Sequence, residues 1–255
     1  PTSQFYHVTT TAHVPYHVCG AQQDNSTACV SSQASESMFG ERTAPIFYSA
    51  GGGESGYIAP HPAKPDIFYA GSYGGYISRF DKSTGQTRAI NPYPDNPMGY
   101  PSGQIAERFQ WTFPIVLSPH NPRTVLTGAN RFFRSTDRGD TWSMSADLTR
   151  QIDRTQREIM GLKGSLPSCG RARMGACINS KDDGTSFYGT LINVAESPVV
   201  PGVYWAGTDD GNIQVSRDGG VTWTEVGKNI PGGPLEYYVS RIEPSYEDPG
   251  TAYAA

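Results

Sequence analysis

Short runs of β-branched, aromatic and small apolar residues recur along the chain, each opened by a proline-containing turn and closed by a glycine. One run is Pro65-Asp66-Ile67-Phe68-Tyr69-Ala70-Gly71, and another is Pro122-Arg123-Thr124-Val125-Leu126-Thr127-Gly128. The pattern returns as Pro201-Gly202-Val203-Tyr204-Trp205-Ala206-Gly207 and begins again at Pro249-Gly250-Thr251-Ala252-Tyr253-Ala254-Ala255, with a weaker copy ending at Gly20. Runs of this length and composition, bounded by turn residues, predict strands. From Gly20 through Gly71 and Gly128 to Gly207 the closing glycines stand 51, 57 and 79 residues apart. A core period of roughly 50 residues, with insertions, suits four-stranded blades of a β-propeller.

A second element repeats between strands. Ser135-Thr136-Asp137-Arg138-Gly139-Asp140-Thr141-Trp142 and Ser216-Arg217-Asp218-Gly219-Gly220-Val221-Thr222-Trp223 both fit Ser-x-Asp-x-Gly-x-Thr-Trp. In such a hairpin the Asp carboxylate accepts backbone N–H bonds, the glycine supplies positive φ, and the Trp opens the returning strand with a large apolar face. Ser135, Asp137, Gly139 and Trp142 are therefore read as structural, as are Ser216, Asp218, Gly220 and Trp223, with the tryptophans packing between blades. Arg138-Gly139-Asp140 spells the integrin tripeptide, but the turn pattern already accounts for it.

Each unit divides into strands A to D. The best copy predicts them at 187–196, 202–208, 212–216 and 222–226. The preceding copy predicts 109–118, 123–129, 131–135 and 141–145. An earlier copy gives 56–61, 66–72, 76–80 and 86–90, where Asp81-Lys82-Ser83-Thr84-Gly85 is a plain turn in place of the motif. Counted this way, residues 1–255 are one all-β propeller segment of about four blades, with insertions near 91–107 and 147–186. The chain is expected to begin inside one blade and stop in strand B of another, so a larger propeller is predicted, because a ring that does not close leaves its end faces bare. Only 151–162 reads as a helix, and a short one.

Composition agrees. The chain is 36% hydrophobic, and its 29 Gly, 20 Pro and 15 Tyr fit many short strands joined by turns. A net charge of −4 gives no electrostatic case for nucleic acid or an anionic membrane. No window approaches the ~18 consecutive apolar residues of a membrane span. With neither an initiator Met nor a signal peptide, the start is expected to be processed or internal. The four cysteines form two local pairs, Cys19/Cys29 and Cys169/Cys177, without metal-ligand spacing. Cys19 and Cys29 flank a predicted hairpin turn where a cross-strand disulfide is geometrically feasible, the alternative being free, packed thiols. Oxidised pairs would imply an extracellular or periplasmic protein. Asn25-Ser26-Thr27 is an N-glycosylation sequon, without meaning in a bacterial source.

Several ordered stretches carry a family likeness. They are Gly20-Ala21-Gln22-Gln23-Asp24-Asn25-Ser26-Thr27, Gly51-Gly52-Gly53-Glu54-Ser55-Gly56-Tyr57, Tyr69-Ala70-Gly71-Ser72-Tyr73-Gly74-Gly75-Tyr76, Arg108-Phe109-Gln110-Trp111-Thr112-Phe113-Pro114 and Trp205-Ala206-Gly207-Thr208-Asp209-Asp210-Gly211. With both repeated hairpins, they make nearly the whole chain resemble bacterial secreted proteins of the sortilin-like, Asp-box (BNR) propeller group. Members are often labelled glycosyl hydrolases through distant similarity to sialidases and xyloglucanases. The resemblance implies the fold more narrowly than the activity, since sortilin-like propellers bind peptides and xyloglucanase-type propellers cleave glycans.

Connections in up-and-down blades alternate between faces. The repeated hairpins join C to D, so they share a face with the A–B turns. The B–C turns and D–A connections then lie on the opposite face, at the mouth of the channel lined by strand A, and loops on a rigid scaffold are where function concentrates. The B–C turns carry Gln22, Gln23 and Asp24, then Tyr73, then Asn130 and Arg131, then Asp209 and Asp210. The D–A connections carry Glu54, Arg108 with Trp111, Tyr188, and Tyr237 with Tyr238. Polar groups beside aromatic rings suit a sugar, through CH–π stacking, or an extended peptide. Turn chemistry alone accounts for Asp209-Asp210-Gly211-Asn212 and for Asp24-Asn25, and Trp111 reads equally well as buried between strands. Glu54, between Gly51-Gly52-Gly53 and Ser55-Gly56, has no evident packing role and sits where backbone could approach a ligand.

Glycoside hydrolysis needs two carboxylates about 5–10 Å apart, and Glu54 with Asp24 is the candidate pair. A sialidase reading wants an arginine cluster, whereas the predicted face offers only Arg108 and Arg131. His7, His13, His17, His61 and His120 lack metal-binding spacing. Asp182-Asp183-Gly184 reads as a turn before a calcium loop, and no phosphate loop or nucleophile elbow is present. No metal or cofactor is expected. The expectation is a secreted, non-enzymatic propeller binding a peptide or glycan at the channel mouth. The alternatives are a glycoside hydrolase using a carboxylate pair and a structural module that contacts other subunits through its insertions.

Overall fold

The computed structural model describes residues 3–33, 46–95, 105–152, 188–232 and 236–255. Strands β1 (Phe5–Thr10), β2 (His17–Gln22) and β3 (Thr27–Ser31) form a first antiparallel sheet, to which a bridge between Cys29 and Tyr48 adds a fourth edge. The second sheet holds β4 (Ile58–Pro60), β5 (Ile67–Ser72), β6 (Tyr76–Asp81) and β7 (Gln86–Ala89). The third holds β8 (Ile115–Leu117), β9 (Val125–Gly128), β10 (Arg131–Ser135) and β11 (Ser143–Asp147). The fourth holds β12 (Leu191–Glu196), β13 (Tyr204–Thr208), β14 (Ile213–Ser216) and β15 (Thr224–Glu225), and β16 (Ile242–Pro244) pairs with β17 (Ala252–Ala254). The four sheets are the blades of a β-propeller, each innermost strand packing on the innermost strand of its neighbour.

The innermost strands are shorter than the sequence pattern predicts, whereas β10 matches its predicted bounds and β6 runs one residue further. Strand A of the third blade begins at Ile115 instead of near 109, because residues 109–114 run irregularly over the blade end. The expected helix at 151–162 lies almost wholly outside the described residues, and 151–152 are not helical. No described helix is long and apolar enough to cross a membrane.

The core lies between blades, which explains the unbroken apolar runs of strand B. Successive strand residues point to opposite faces, and here both faces are buried against a neighbouring sheet. On β9, Val125 joins Tyr69, Ile77 and Phe113 on one side, while Leu126 joins Leu191, Val194 and Tyr204 on the other. On β5, Phe68 faces Cys19 and Cys29 while Tyr69 faces the third blade. On β13, Tyr204 faces the third blade and Trp205 packs with Val239 and Ile242 beside β16. Each large side chain fully removed from water contributes roughly 1.5–3 kcal/mol.

The repeating glycines acquire a reason. A Cβ on Gly71 would stand 2.7 Å from Ile115 Cδ1, one on Gly128 2.7 Å from Leu191 Cβ, and one on Gly207 2.6 Å from Val239 Cγ1. At each site the next blade, or for Gly207 the segment entering β16, presses an apolar side chain against strand B. In the weaker first copy the space at Gly20 is taken by Phe5 of the same sheet.

The two repeated hairpins fold alike. Ser135 Oγ donates to Asp137 Oδ1 (2.8 Å) and accepts from Gly139 N (2.7 Å), while Asp137 takes Thr141 N (2.9 Å) and Thr141 Oγ1 (2.6 Å). Ser216, Asp218, Gly220 and Thr222 repeat these bonds. The tryptophans then reach the preceding blade. Trp142 Nε1 donates to Ile90 O at 3.0 Å, and Trp223 meets Phe132 edge-on at 5.1 Å. Arg138 and Asp140 also face that neighbour: Arg79 donates to Arg138 O (2.8 Å) and pairs with Asp140 (3.3 Å).

Cys19 and Cys29 lie opposite one another on β2 and β3 and form a disulfide buried against Phe68. Cys169 and Cys177 lie outside the described residues.

Candidate functional site

The β2–β3 turn, the loop before β4, the β5–β6 turn and the segment before β8 meet at the blade ends opposite the repeated hairpins. Glu54 fastens two of them. Its Oε2 accepts Asp24 N at 2.6 Å and Gln23 Nε2 at 3.0 Å, and Gln23 Nε2 also lies 3.0 Å from Asp24 Oδ1. Asp24 has φ of 56°, a conformation Asp tolerates in tight turns. The carboxylate thus satisfies the backbone of a left-handed residue, a packing role that local sequence does not reveal. The flanking glycines have a similar cause: Gly53 N donates to Gly71 O at 3.0 Å, and a Cβ on Gly52 would stand 2.7 Å from that oxygen. The loop lies flat on the backbone of β5.

From Gln23 the contacts run inward. Gln23 Oε1 accepts the Tyr6 hydroxyl, and that hydroxyl accepts Trp111 Nε1 at 2.9 Å. Tyr6 belongs to the innermost strand of the first blade, and Trp111 to the segment entering the third, so this bond joins the first blade to the third. Trp111 stacks on Tyr73 with ring centres 5.0 Å apart and planes 6° from parallel, and it remains 36% exposed. Of the two sequence readings of Trp111, the structure shows the exposed one. Gln22 turns away from this group and donates to Ser3 Oγ at 2.6 Å.

Arg108, Asn130, Arg131, Tyr188, Asp209 and Asp210 form a second group on the same face, where the third and fourth blades adjoin. Gln110 links the two groups: its Oε1 accepts Trp111 N (2.7 Å) and its Nε2 reaches Asp209 Oδ2 (3.5 Å). Arg108 Nε donates to Gly189 O at 3.1 Å and its Nη2 pairs with Asp147 at 3.4 Å, while Asn130 Nδ2 donates to Asp147 at 2.9 Å. Arg131 Nη1 donates to Ser145 O (3.1 Å), and its Nε approaches Glu107 at 3.1 Å. Both arginines are therefore engaged by protein groups. A polar cavity of about 210 Å³ lies here, with Arg108, Asp147, Tyr188 and Asp210 in its wall.

The acids of this group differ in electrostatics. Burial pushes the Asp209 carboxyl up to about 6, against the opposing pull of Thr190 and Gly189, whose groups donate to it at 2.8–2.9 Å. Burial also raises Glu107, with Arg131 opposing. At Asp147 burial is outweighed by hydrogen bonds from Thr149 and Asn130, so its carboxyl lies below the ordinary value. Asp210 is buried and accepts Thr208 Oγ1 at 2.5 Å and Arg150 N at 2.8 Å. Tyr237 and Tyr238 are exposed on the connection into β16.

Sequence reasoning missed Tyr6, Glu107, Gln110 and Asp147. Tyr6 sits in the weakest repeat, where no strand was assigned, while Gln110 beside Trp111 was legible as a polar neighbour of an aromatic. Of the histidines, His13 stacks on His17 and lies 3.3 Å from Asp66, while His7 stacks on Tyr57. No group of three or more His, Cys, Asp or Glu side chains is gathered as a metal site among the described residues. No family model matches this chain, and no curated protein is significantly similar to it.

Proposed function

We propose that this chain is a non-enzymatic recognition propeller that holds a glycan or extended peptide on the face opposite its repeated hairpins. The Tyr73–Trp111 stack carries the reading. It is a flat, partly exposed aromatic platform bordered by the amides and carboxylates of Gln23, Asp24 and Glu54, which is the composition of a site for sugars or peptide backbone. The resemblance to sortilin-like, Asp-box propellers supports it, and the Cys19–Cys29 disulfide fits an extracellular or periplasmic location. Glu54 is spent on the backbone of the turn at Asp24, which favours binding over proton transfer.

Arrays of neutral glycans and of extended peptides, probed with the full chain, test the proposal. A retained ligand should lose at least tenfold in affinity on Trp111→Ala and on Tyr73→Ala, with the fold intact by circular dichroism. Retention of nothing, or binding indifferent to both substitutions, overturns it.

The hydrolase alternative draws on one observation. Gln23 Nε2 lies 3.0 Å from both Glu54 Oε2 and Asp24 Oδ1, so these oxygens fall within about 6 Å, close to the spacing of retaining enzymes. Reducing ends released from β-glucans by the native chain, and lost in Glu54→Gln, would establish it. Equal background from both would remove it.

A further inference from the structure

On the opposite face, a cleft of about 760 Å³ opens between the second and third blades. Its walls come from the β4–β5 and β6–β7 connections of one blade and the β8–β9 and β10–β11 connections of the next. Lys64, Arg79, Arg88, Arg123 and Arg138 line it together with His61, against a single lining acid, Asp81. Five of the twenty Lys and Arg residues thus face one cleft of a chain whose net charge is −4. Chance scatter over an acidic surface does not explain that concentration.

Neutralisation within the cleft is incomplete. Asp140 accounts for one charge, shared between Arg79 and Arg88 at 3.3 Å each. Asp81 is occupied by its own turn, accepting Ser83 N, Ser83 Oγ and Thr84 N. Lys64, Arg123 and Arg138 are exposed, and their side chains have no carboxylate within ion-pair distance among the described residues.

Two donors complete the lining. His61 Nδ1 accepts both Ala63 N and Lys64 N at 3.1 Å, so the proton of the neutral ring resides on Nε2. Tyr69 is fully buried, yet its hydroxyl has no hydrogen-bond partner, and the residue forms part of the cleft wall beside Arg79 and Arg138. A buried hydroxyl without a partner costs about 1–3 kcal/mol. Lys64, Arg123 and Arg138 have no anion partner among the described residues, while Arg79 and Arg88 share one, and arginine forks match the oxygens of phosphate and sulfate.

We propose that this cleft is a second binding site, for a phosphate or sulfate ester of a sugar-sized molecule. Its volume falls in the range of roughly 300–1,000 Å³ typical of small-molecule sites, and the acidic remainder of the surface disfavours a long polyanion.

Calorimetry on the full chain should compare inorganic phosphate, inorganic sulfate, a phosphorylated and a sulfated disaccharide, and the unmodified disaccharide. At least one ester is expected to bind saturably, more tightly than its free anion and than the neutral parent, with affinity falling as salt rises. The double variant Lys64→Ala/Arg123→Ala should weaken that binding at least tenfold while melting as wild type does without ligand. Esters that bind no better than the neutral parent overturn the proposal, as does a double variant that binds like wild type. Free anions binding as tightly as the esters also overturn it, by reducing the site to one for an ion alone.

Discussion

At the scale of single residues, a few positions are decided by contacts invisible from their neighbours in sequence. Gly128 is a seat for Leu191 of the next blade. Gly128→Ala should destabilise the fold by roughly 1–3 kcal/mol, the usual range for overpacking, and urea unfolding would measure it. Leu126, fully buried beside Leu191 and Tyr204, should cost about 2–5 kcal/mol on replacement by Ala. Asp209 behaves differently from the turn aspartates. Its folded-state value of about 6 exceeds the ordinary 3.8, so the folded chain holds the proton more tightly than the unfolded one. Its contribution therefore improves as pH falls through 6 and is complete below about 4. Melting curves should show wild type gaining on Asp209→Asn between pH 7.5 and 4.5, by on the order of 2–3 kcal/mol. Asp218, held down to about 2 by Thr222, has the opposite sign: its stabilisation is full above the ordinary value and is lost as pH falls towards 2.

At the scale of elements, hairpins were legible because their determinants are local. Ser135, Asp137, Gly139 and Thr141 complete each other's hydrogen bonds within seven residues, and the same set recurs at Ser216–Thr222. Cys19 and Cys29 flank a hairpin turn legible in the sequence, and the structure pairs them in register and bonds them. Replacing both with Ala should cost about 2–4 kcal/mol, the loss expected when a native cross-link is removed, and thermal melts of oxidised wild type and variant would show it. Strand ends were less legible. The apolar pattern of Phe109 and Phe113 looks like strand, yet those rings point into the inter-blade core from an irregular segment.

At the scale of the whole molecule, the blades are held by what each lends to the next. Trp142 shows this most directly, since its ring packs on the second blade and its indole N–H donates to Ile90 O. Trp142→Phe should keep most of the packing and lose the bond, at about 0.5–1.5 kcal/mol by urea unfolding. The two candidate ligand regions are products of the same assembly. Tyr6 and Trp111 are 105 positions apart in the chain but share a hydrogen bond, and Arg79 and Arg123 enter one cleft from different blades.

The division between the two kinds of information follows from range. Repeat spacing, strand-forming runs and turn chemistry act over a few residues, so sequence alone determined an all-β chain, its blade units, its repeated hairpins and the face on which each connection emerges. Which groups are spent and which are left over is a long-range matter. Glu54 became a fastener for the turn at Asp24, Arg108 was claimed by Gly189 and Asp147, and Tyr69 was buried without a partner only when distant blades came together. Hydrogen-bond satisfaction depends on neighbours in space, and only the tertiary structure supplies them.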